Sequence, residues 1–180
     1  GRSIPAEEAR RIINIYREAN WKIGHVWREA QHMVAHLAKG DSLQFGNGVV
    51  RAVGSVTGIK LPSGLVMRYE DLKGAQGEKG VEYTYQTRKG RTRLYGGKVI
   101  ENVCQAVARC IIGEQMLLIA KKYPPVLTVH DSIVACVPEK EVKEAQTYIE
   151  GCMRYVPTWA EGLPLDCESG VAKSYGDCEA

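Results

Sequence analysis

Apolar residues near the start of the chain recur with a helical period. Within residues 3–39 they are Ala9, Ile12, Ile13, Tyr16, Ile23, Val26, Trp27, Ala30, Met33, Val34 and Leu37. This spacing matches the repeat of about 3.6 residues that an amphipathic helix requires. The spacing loosens at Asn20-Trp21, so two helices fit the pattern as well as one. Ser3 is a candidate cap for the start, and Gly40-Asp41 predicts the end.

The pattern changes between residues 41 and 96, where glycine is frequent and apolar residues form short runs. Short runs bounded by turn residues predict β-hairpins. LPSG at 61–64 predicts a turn between two strands. The sequence DLKGAQGEKG at 71–80 is expected to form an exposed loop.

The last part of the chain alternates between the two patterns. A helix is predicted over 98–122, two strands around His130-Asp131, and a second helix over roughly 139–154. An irregular or strand-like segment follows from Leu163. This order predicts an α+β fold with an antiparallel sheet packed against long helices.

Three segments follow from these changes of pattern. They are a helical segment at 1–40, a β-rich segment at 41–96 and a C-terminal portion at 97–180. With 180 residues, 44% of them hydrophobic and 25% charged, the chain has a globular composition and enough length for a core. The net charge of +3 permits a nucleic-acid partner without arguing for one.

Targeting and cysteine patterns indicate a cytoplasmic protein. The polar N-terminus GRSIPAEEARR does not resemble a signal peptide, and no apolar run approaches the ~20 residues of a membrane helix. None of the six cysteines is spaced as CxxC, so thiols in a reducing compartment are expected rather than a zinc site. His32 and His36 have a helical metal-binding spacing, but the Glu of HExxH is missing between them.

One face of the helix predicted at 98–122 is polar. At about 100° per residue, an arc of the helix collects Lys98, Glu101, Asn102, Gln105 and Arg109. The other positions between 99 and 111 are mostly apolar. Such a stripe is typical of a solvated helix face. Its two amides also suit the edges of bases or a sugar, because an amide both donates and accepts.

The hairpin predicted around LTVHDSIV places a carboxylate at its tip. Its tip, His130-Asp131-Ser132, lacks the glycine that hairpin turns usually carry, and β-branched residues flank it on both sides. Asp131 is either a simple turn residue or, held between two buried strands, a ligand for Mg²⁺.

A basic run spans the end of the β-rich segment and the first residue of the predicted helix. Arg88, Lys89, Arg91, Arg93 and Lys98 fall in a stretch that contains no acid. The run is either a solvated set of charges or a contact for phosphates.

Four motifs together resemble the C-terminal part of an A-family DNA polymerase of the phage-type branch. VHDSI resembles the palm hairpin of that family, and YGGKVIENVCQAVAR at 95–109 resembles the helix that precedes it. LPSG at 61–64 and PAEEARRIINIYREAN at 5–20 are also similar to phage polymerases. The resemblance spans nearly the whole chain in the right order.

The resemblance implies a right-hand polymerase fold and two-metal catalysis. In this family two carboxylates hold two Mg²⁺ ions, which activate the primer 3′-hydroxyl and stabilise the displacement of pyrophosphate. Asp131 matches the metal-binding Asp and His130 its neighbour that supports the primer terminus. Gln105 matches the helix glutamine that reads the minor groove. Glu101 and Asn102 lie in the same stretch. The implied partners are a DNA primer–template and a deoxynucleoside triphosphate.

Some family features differ or are missing here. Ser132 stands where many members carry Glu, so it is not an expected ligand, and Cys110 stands where related sequences often have an acid. The second metal-binding Asp and the helix that grips the triphosphate lie earlier in the family's sequence. We therefore expect these residues alone not to polymerise, to need that upstream portion as a partner, and to be able to self-associate through uncovered apolar surface.

Two other interpretations remain open from the sequence. A non-catalytic nucleic-acid-binding module would use the basic run and the helix stripe without Asp131. A single-subunit RNA polymerase has a similar HDS hairpin, although ENVCQ at 101–105 disfavours it.

Overall fold

A computed structural model describes residues 4–45, 50–53, 56–78 and 80–178, with the backbone alone at 45 and 50–53. The chain divides into two compact units, residues 1–105 and 106–180, and each is described separately. The boundary falls inside a long helix, so that helix contributes its first part to one unit and its last part to the other. The three-segment division drawn from the sequence follows changes of secondary structure and stays a prediction.

Two helices open the first unit. Helix α1 spans Ala6–Ala19 and α2 spans Trp21–Ala38, so the loosened spacing at Asn20 marks a real break. The Asn20 side chain and its backbone N–H both donate to the Tyr16 carbonyl, each at 2.9 Å, and this ends α1. Gly40 takes a positive φ of 83° just after α2, as the sequence predicts. Ser3 lies outside the described residues.

The predicted hairpins form two antiparallel sheets. The first has the order β1 (Gln44–Phe45), β2 (Val50–Val53), β3 (Gly58–Lys60) and β4 (Val66–Arg68). The turn predicted at LPSG is confirmed between β3 and β4. There the Gly64 N–H donates to the Leu61 carbonyl at 2.9 Å, and Gly64 has the positive φ of 90° that favours glycine.

The loop predicted at 71–80 is wrong. Its residues form β5 (Lys73–Gly77), which pairs with β6 (Gly80–Thr87), and β6 pairs with β7 (Gly90–Leu94). The strand is almost fully exposed, so it has no apolar alternation that the sequence could reveal. A Cβ on Gly74 would lie 2.9 Å from the Tyr83 ring, so glycine allows this ring to cross the sheet closely.

The core of the first unit lies where α2 meets the sheets and the start of the long helix α3 (Gly96–Ile119). Its fully buried members include Ala30, Met33, Val34, Leu37, Ile59, Tyr69, Leu94 and Val99. A Cβ on Gly96 would lie 2.0 Å from the Trp27 carbonyl oxygen, so α2 and α3 touch backbone to backbone there. The helix predicted over 98–122 is thus confirmed with slightly earlier bounds.

The second unit packs the end of α3 against a hairpin and a further helix. The hairpin consists of β8 (Pro125–Val129) and β9 (Ser132–Ala135), and α4 (Val142–Met153) follows a single 3₁₀ turn at Glu139–Glu141. Its core cluster contains Ile119, Tyr123, Ala145 and Cys152. The expectation of two buried strands is wrong, because β8 is largely open: Val126 is 60% exposed and Leu127 44%.

The residues after Leu163 are irregular, which the sequence allowed, and polar contacts attach them to α4. Arg154 Nε donates to Asp166 Oδ1 at 2.7 Å, and the Ser169 hydroxyl donates to a Glu150 carboxylate oxygen. Gln146 Nε2 in turn donates to Ser169 Oγ at 2.8 Å. Short 3₁₀ turns occur at Thr158–Ala160 and Tyr175–Asp177.

The predicted α+β class with antiparallel sheets is confirmed. Across the described ranges, no helix combines the length and apolar character needed to cross a bilayer. All six cysteines lie within those ranges and are thiols, as the sequence predicts.

Candidate metal-binding hairpin and polar helix face

The tip of the β8–β9 hairpin is a two-residue turn made of His130 and Asp131. Val129 pairs with Ser132 on either side of it, and the Ser132 hydroxyl donates to the Val129 carbonyl at 2.7 Å. His130 has a positive φ of 54°. Glycine usually occupies that position in a two-residue turn, so the backbone is strained at His130. The turn places the side chains of His130 and Asp131 at an exposed tip.

The Asp131 carboxylate is available to a ligand. Asp131 is exposed and makes no hydrogen bond or ion pair with any residue that the structure describes. An unengaged carboxylate is a donor that suits Mg²⁺. Within the same described ranges, however, no group of three or more His, Cys, Asp or Glu side chains is placed to hold a metal ion. Asp131 therefore offers a single carboxylate, and its assignment as a metal ligand stays a prediction.

The polar stripe predicted on α3 is present over its first turns. Lys98 Nζ donates to Glu101 Oε1 at 2.8 Å, and Gln105 Nε2 lies 3.5 Å from the same oxygen. The Glu101 carboxylate beside Lys98 raises the pKa of that ammonium group. Glu101, Gln105 and Arg109 are exposed. The stripe is thus a connected set of polar groups on an open helix face.

Asn102 departs from this stripe. Its Nδ2 donates to the Tyr69 hydroxyl at 3.2 Å, so its side chain turns toward the core of the first unit. Burial raises the pKa of Tyr69 to about 12, although the Asn102 hydrogen bond acts in the opposite direction. A residue at the edge of a helical arc can face either solvent or the core. The sequence alone did not reveal that Tyr69 lies where it can bind the Asn102 side chain.

The basic run contains two arginines that are already paired. Arg91 donates from Nη1 to Asp71 Oδ2 at 2.7 Å, and also bonds to the Asp71 carbonyl and to Thr84. Lys73 and then Arg91 hold the pKa of Asp71 below its usual value. Arg93 Nη2 donates to Glu82 Oε1 at 2.6 Å. The basic run itself contains no acid because its partners come from elsewhere in the chain, Asp71 from the turn before β5 and Glu82 from β6.

The turn between β6 and β7 carries the first two residues of the basic run. Arg88 and Lys89 are exposed there and form no ion pair with an acid in the described part of the chain. They are the members of the run that remain available to phosphates. The assignment of Arg91, Arg93 and Lys98 to DNA contacts stays a prediction.

The predicted site residues fall in both compact units. Lys98, Glu101 and Gln105 lie together on the first unit, and His130 and Asp131 lie together on the second. Arg109 belongs to the part of α3 that lies in the second unit. The resemblance to A-family polymerases implies that the stripe and the hairpin face one site, and this stays a prediction.

An aromatic groove in the first unit was missed by the sequence reasoning. It is lined by α1, α2 and the first turn of α3, and it exposes Tyr16, Trp21, Trp27 and Tyr95. Tyr16 and Trp27 belong to the apolar helical pattern of residues 3–39, and periodicity does not tell whether such a face is covered. The available signal was an arginine directly after an aromatic residue in Tyr16-Arg17 and Trp27-Arg28.

Comparison with known proteins gives one partial likeness. The chain is 30% identical over 175 residues to the DNA polymerase of Bacillus phage SP02. The match covers 91% of this chain and 26% of that polymerase, so the chain spans about a quarter of its relative's length. No protein-family model matches the chain, and no solved structure matches it. The likeness supports a relationship at the level of DNA polymerases and nothing finer.

Proposed function

We propose that the chain is the C-terminal part of a DNA-directed DNA polymerase of the phage type. The carrying observation is the exposed His130-Asp131 tip, whose carboxylate has no partner among the described residues. The partial likeness to a phage DNA polymerase supports the same assignment. The reaction would be template-directed nucleotidyl transfer onto a DNA primer during replication.

In this proposal Asp131 is a metal ligand and His130 supports the primer terminus. Bound Mg²⁺ would supply charge stabilisation at the reacting phosphate and a more acidic primer hydroxyl. Asp131 contributes one carboxylate, which the short turn aims outward. His130 adds hydrogen-bonding nitrogens beside it. The second carboxylate and the groups that bind the triphosphate come from the upstream palm and fingers of the whole polymerase, in a right-hand arrangement.

The polar face of α3 would position the duplex. Gln105 donates and accepts at once, which suits the acceptor pattern of the minor groove, and Glu101 holds it through the contact at 3.5 Å. Asn102 would act indirectly, because its side chain donates to the Tyr69 hydroxyl. Arg109 is exposed and placed to meet phosphates, whereas Lys98 is paired with Glu101 and would do so only by leaving that carboxylate. Arg91 and Arg93 would contact phosphates only after releasing their acidic partners, Asp71 and Glu82.

The test places this chain within the phage relative, in exchange for the matching segment. A chimera of the SP02 polymerase, with its matching segment replaced by these residues, is assayed for Mg²⁺-dependent primer extension. The isolated chain is assayed in parallel, alone and mixed with the separately made upstream portion. We expect extension by the chimera or by the mixture, and none by the chain alone.

Two matched variants test whether extension depends on the Asp131 carboxylate. Asp131→Asn should abolish extension, because the amide carries no charge for a metal ion. Glu161→Gln removes another exposed carboxylate of the second unit and should leave extension unchanged. A folded chimera that extends primers equally well with Asp131→Asn would contradict the proposal. Primer–template binding without any extension would favour the non-catalytic module, and a preference for ribonucleotides would favour an RNA polymerase.

A further inference from the structure

An open groove of about 890 Å³ lies within the first compact unit. The end of α1, the first half of α2 and the start of α3 form its walls. Four aromatic side chains on these walls are between 42% and 61% exposed: Tyr16, Trp21, Trp27 and Tyr95. So much exposed aromatic surface in one groove indicates a binding surface rather than scattered surface residues.

The backbone sets the position of two of these rings. A Cβ on Gly97 would lie 3.3 Å from the Tyr95 ring and 3.9 Å from the Trp27 ring. Both rings therefore lie close to the backbone of Gly97, where no side chain separates them from it. The Gly96 N–H donates to Gln31 Oε1 at 2.8 Å and fixes the start of α3 against α2. The floor of the groove is therefore built into the packing of two helices before any ligand arrives.

The charges on the groove favour an anionic ligand. Arg17 and Arg28 line it, and neither is ion-paired with an acid in the described part of the chain. The guanidinium of Arg28 lies 3.8 Å from the Cβ position of Gly24, so this side chain runs along the groove. The acid on the groove wall, Glu101, is already paired with Lys98. Aromatic faces beside uncompensated arginines are the elements that bind bases and phosphates.

The groove also continues beyond the aromatic cluster. A second cavity of about 190 Å³ shares Gln31 and Tyr95 with it and extends along β6 and β7. The open surface therefore runs from the aromatic cluster to the edge of two strands. An extended, flexible strand fits such a path better than a compact ligand.

We propose that this groove binds an unpaired segment of nucleic acid, with bases stacked on the exposed rings and phosphates against Arg17 and Arg28. The proposal rests on the proposed function for its choice of a nucleic-acid ligand. Stacking on aromatic rings does not depend on base identity, so binding should tolerate different sequences and weaken strongly with salt.

The test uses the full chain and a fluorescein-labelled oligothymidylate of about 12 nucleotides. Anisotropy is recorded at low salt in EDTA, where no extension occurs. Trp21→Ala and Tyr95→Ala should each weaken binding roughly ten-fold, as expected when one stacking ring is lost. Arg17→Gln should lower the slope of log affinity against log salt by about 0.7. Tyr175→Ala removes an exposed ring outside the groove and should change neither quantity.

Further measurements separate this proposal from the previous one. Far-ultraviolet circular dichroism checks that each variant is folded. Asp131→Asn should bind the oligonucleotide like the unaltered chain, so a loss of extension and a loss of strand binding are distinguishable. Unchanged affinity in folded Trp21→Ala and Tyr95→Ala would overturn the groove proposal. A dimer that Trp21→Ala dissociates and the oligonucleotide does not displace would assign the groove to a second copy of the chain instead.

Discussion

The residue that most constrains the hairpin tip is His130. Its φ of 54° lies in the left-handed region, which costs an L residue roughly 1–2 kcal/mol. Neither the hydrophobic pattern nor the absence of glycine at the tip revealed this strain. A non-glycine residue kept in such a conformation is typical of a site where the side chain has a task.

Two substitutions at His130 separate the backbone from the side chain. His130→Gly should change the free energy of unfolding by less than about 1 kcal/mol, because relief of strain offsets the added freedom of the unfolded chain. His130→Val should lose about 1–2 kcal/mol, because a β-branched residue tolerates positive φ poorly. Urea unfolding measures both changes. If the two variants are equally stable, the turn does not have this geometry in solution.

Tyr69 predicts an alkaline limit to the stability of the first unit. Its pKa in the folded chain is about 12, above the ordinary value of 10.0, so the folded state holds the proton more tightly. The stabilisation is therefore complete below pH 10 and is lost as pH rises through 12. Two units of pKa correspond to roughly 3 kcal/mol.

Urea unfolding between pH 9 and about 11.5, together with ultraviolet titration of tyrosinate, checks this dependence. Tyr69→Phe should remove the part of the alkaline loss that Tyr69 causes. The exposed Tyr175→Phe should leave the loss as it is. An identical alkaline profile for Tyr69→Phe and the unaltered chain would show that Tyr69 is not buried.

At the scale of elements, the sequence predicted the helices better than the strands. The break at Asn20, the long helix α3 and the helix after Pro138 all follow from periodicity and from turn residues. Strand β5 does not, since its exposed residues lack alternation and its order comes from pairing with β6. The pairing of Arg91 with Asp71 was also hidden, because it joins β7 to the turn before β5, 20 residues earlier in the chain.

The contact between α2 and α3 predicts opposite effects for two glycines on the same helix. Gly96→Ala should cost about 3 kcal/mol or more, because its Cβ would lie 2.0 Å from the Trp27 carbonyl oxygen and helix backbones move apart only by losing core contacts. Gly113→Ala meets nothing within 4 Å and should stabilise α3 by about 0.5–1 kcal/mol. Thermal or urea unfolding compares the two. A mild effect of Gly96→Ala would mean that the helices are not in backbone contact.

For the whole molecule, the sequence predicted the α+β class and a hairpin with Asp131 at its tip. It did not predict which polar residues are already engaged. Asn102, Arg91 and Arg93 share a pattern with exposed site residues, and their partners come from distant parts of the chain. The exposed aromatic groove escaped notice for the converse reason. An amphipathic period reports an apolar face, and only the fold shows whether another element covers it.

The irregular C-terminal segment of the second unit should detach in acid. Arg154 holds the pKa of Asp166 below its ordinary value of 3.8, and the Ser169 hydrogen bond and then Arg154 lower that of Glu150. Both contributions are therefore present above the unfolded-state pKa values and are lost as pH falls below about 4. Pepsin digestion between pH 2 and about 4.5 should show cleavage after residue 163 before cleavage within α4.

A charge variant reproduces this release at neutral pH. Asp166→Asn removes the acceptor charge from Arg154, so a neutral protease should cut the segment after residue 163 faster than in the unaltered chain. Asp177→Asn provides the control, because its only described contact, with Ser174, lies within the segment itself. Equal protection of the segment in all three chains would show that contacts other than the Arg154–Asp166 pair attach it to α4.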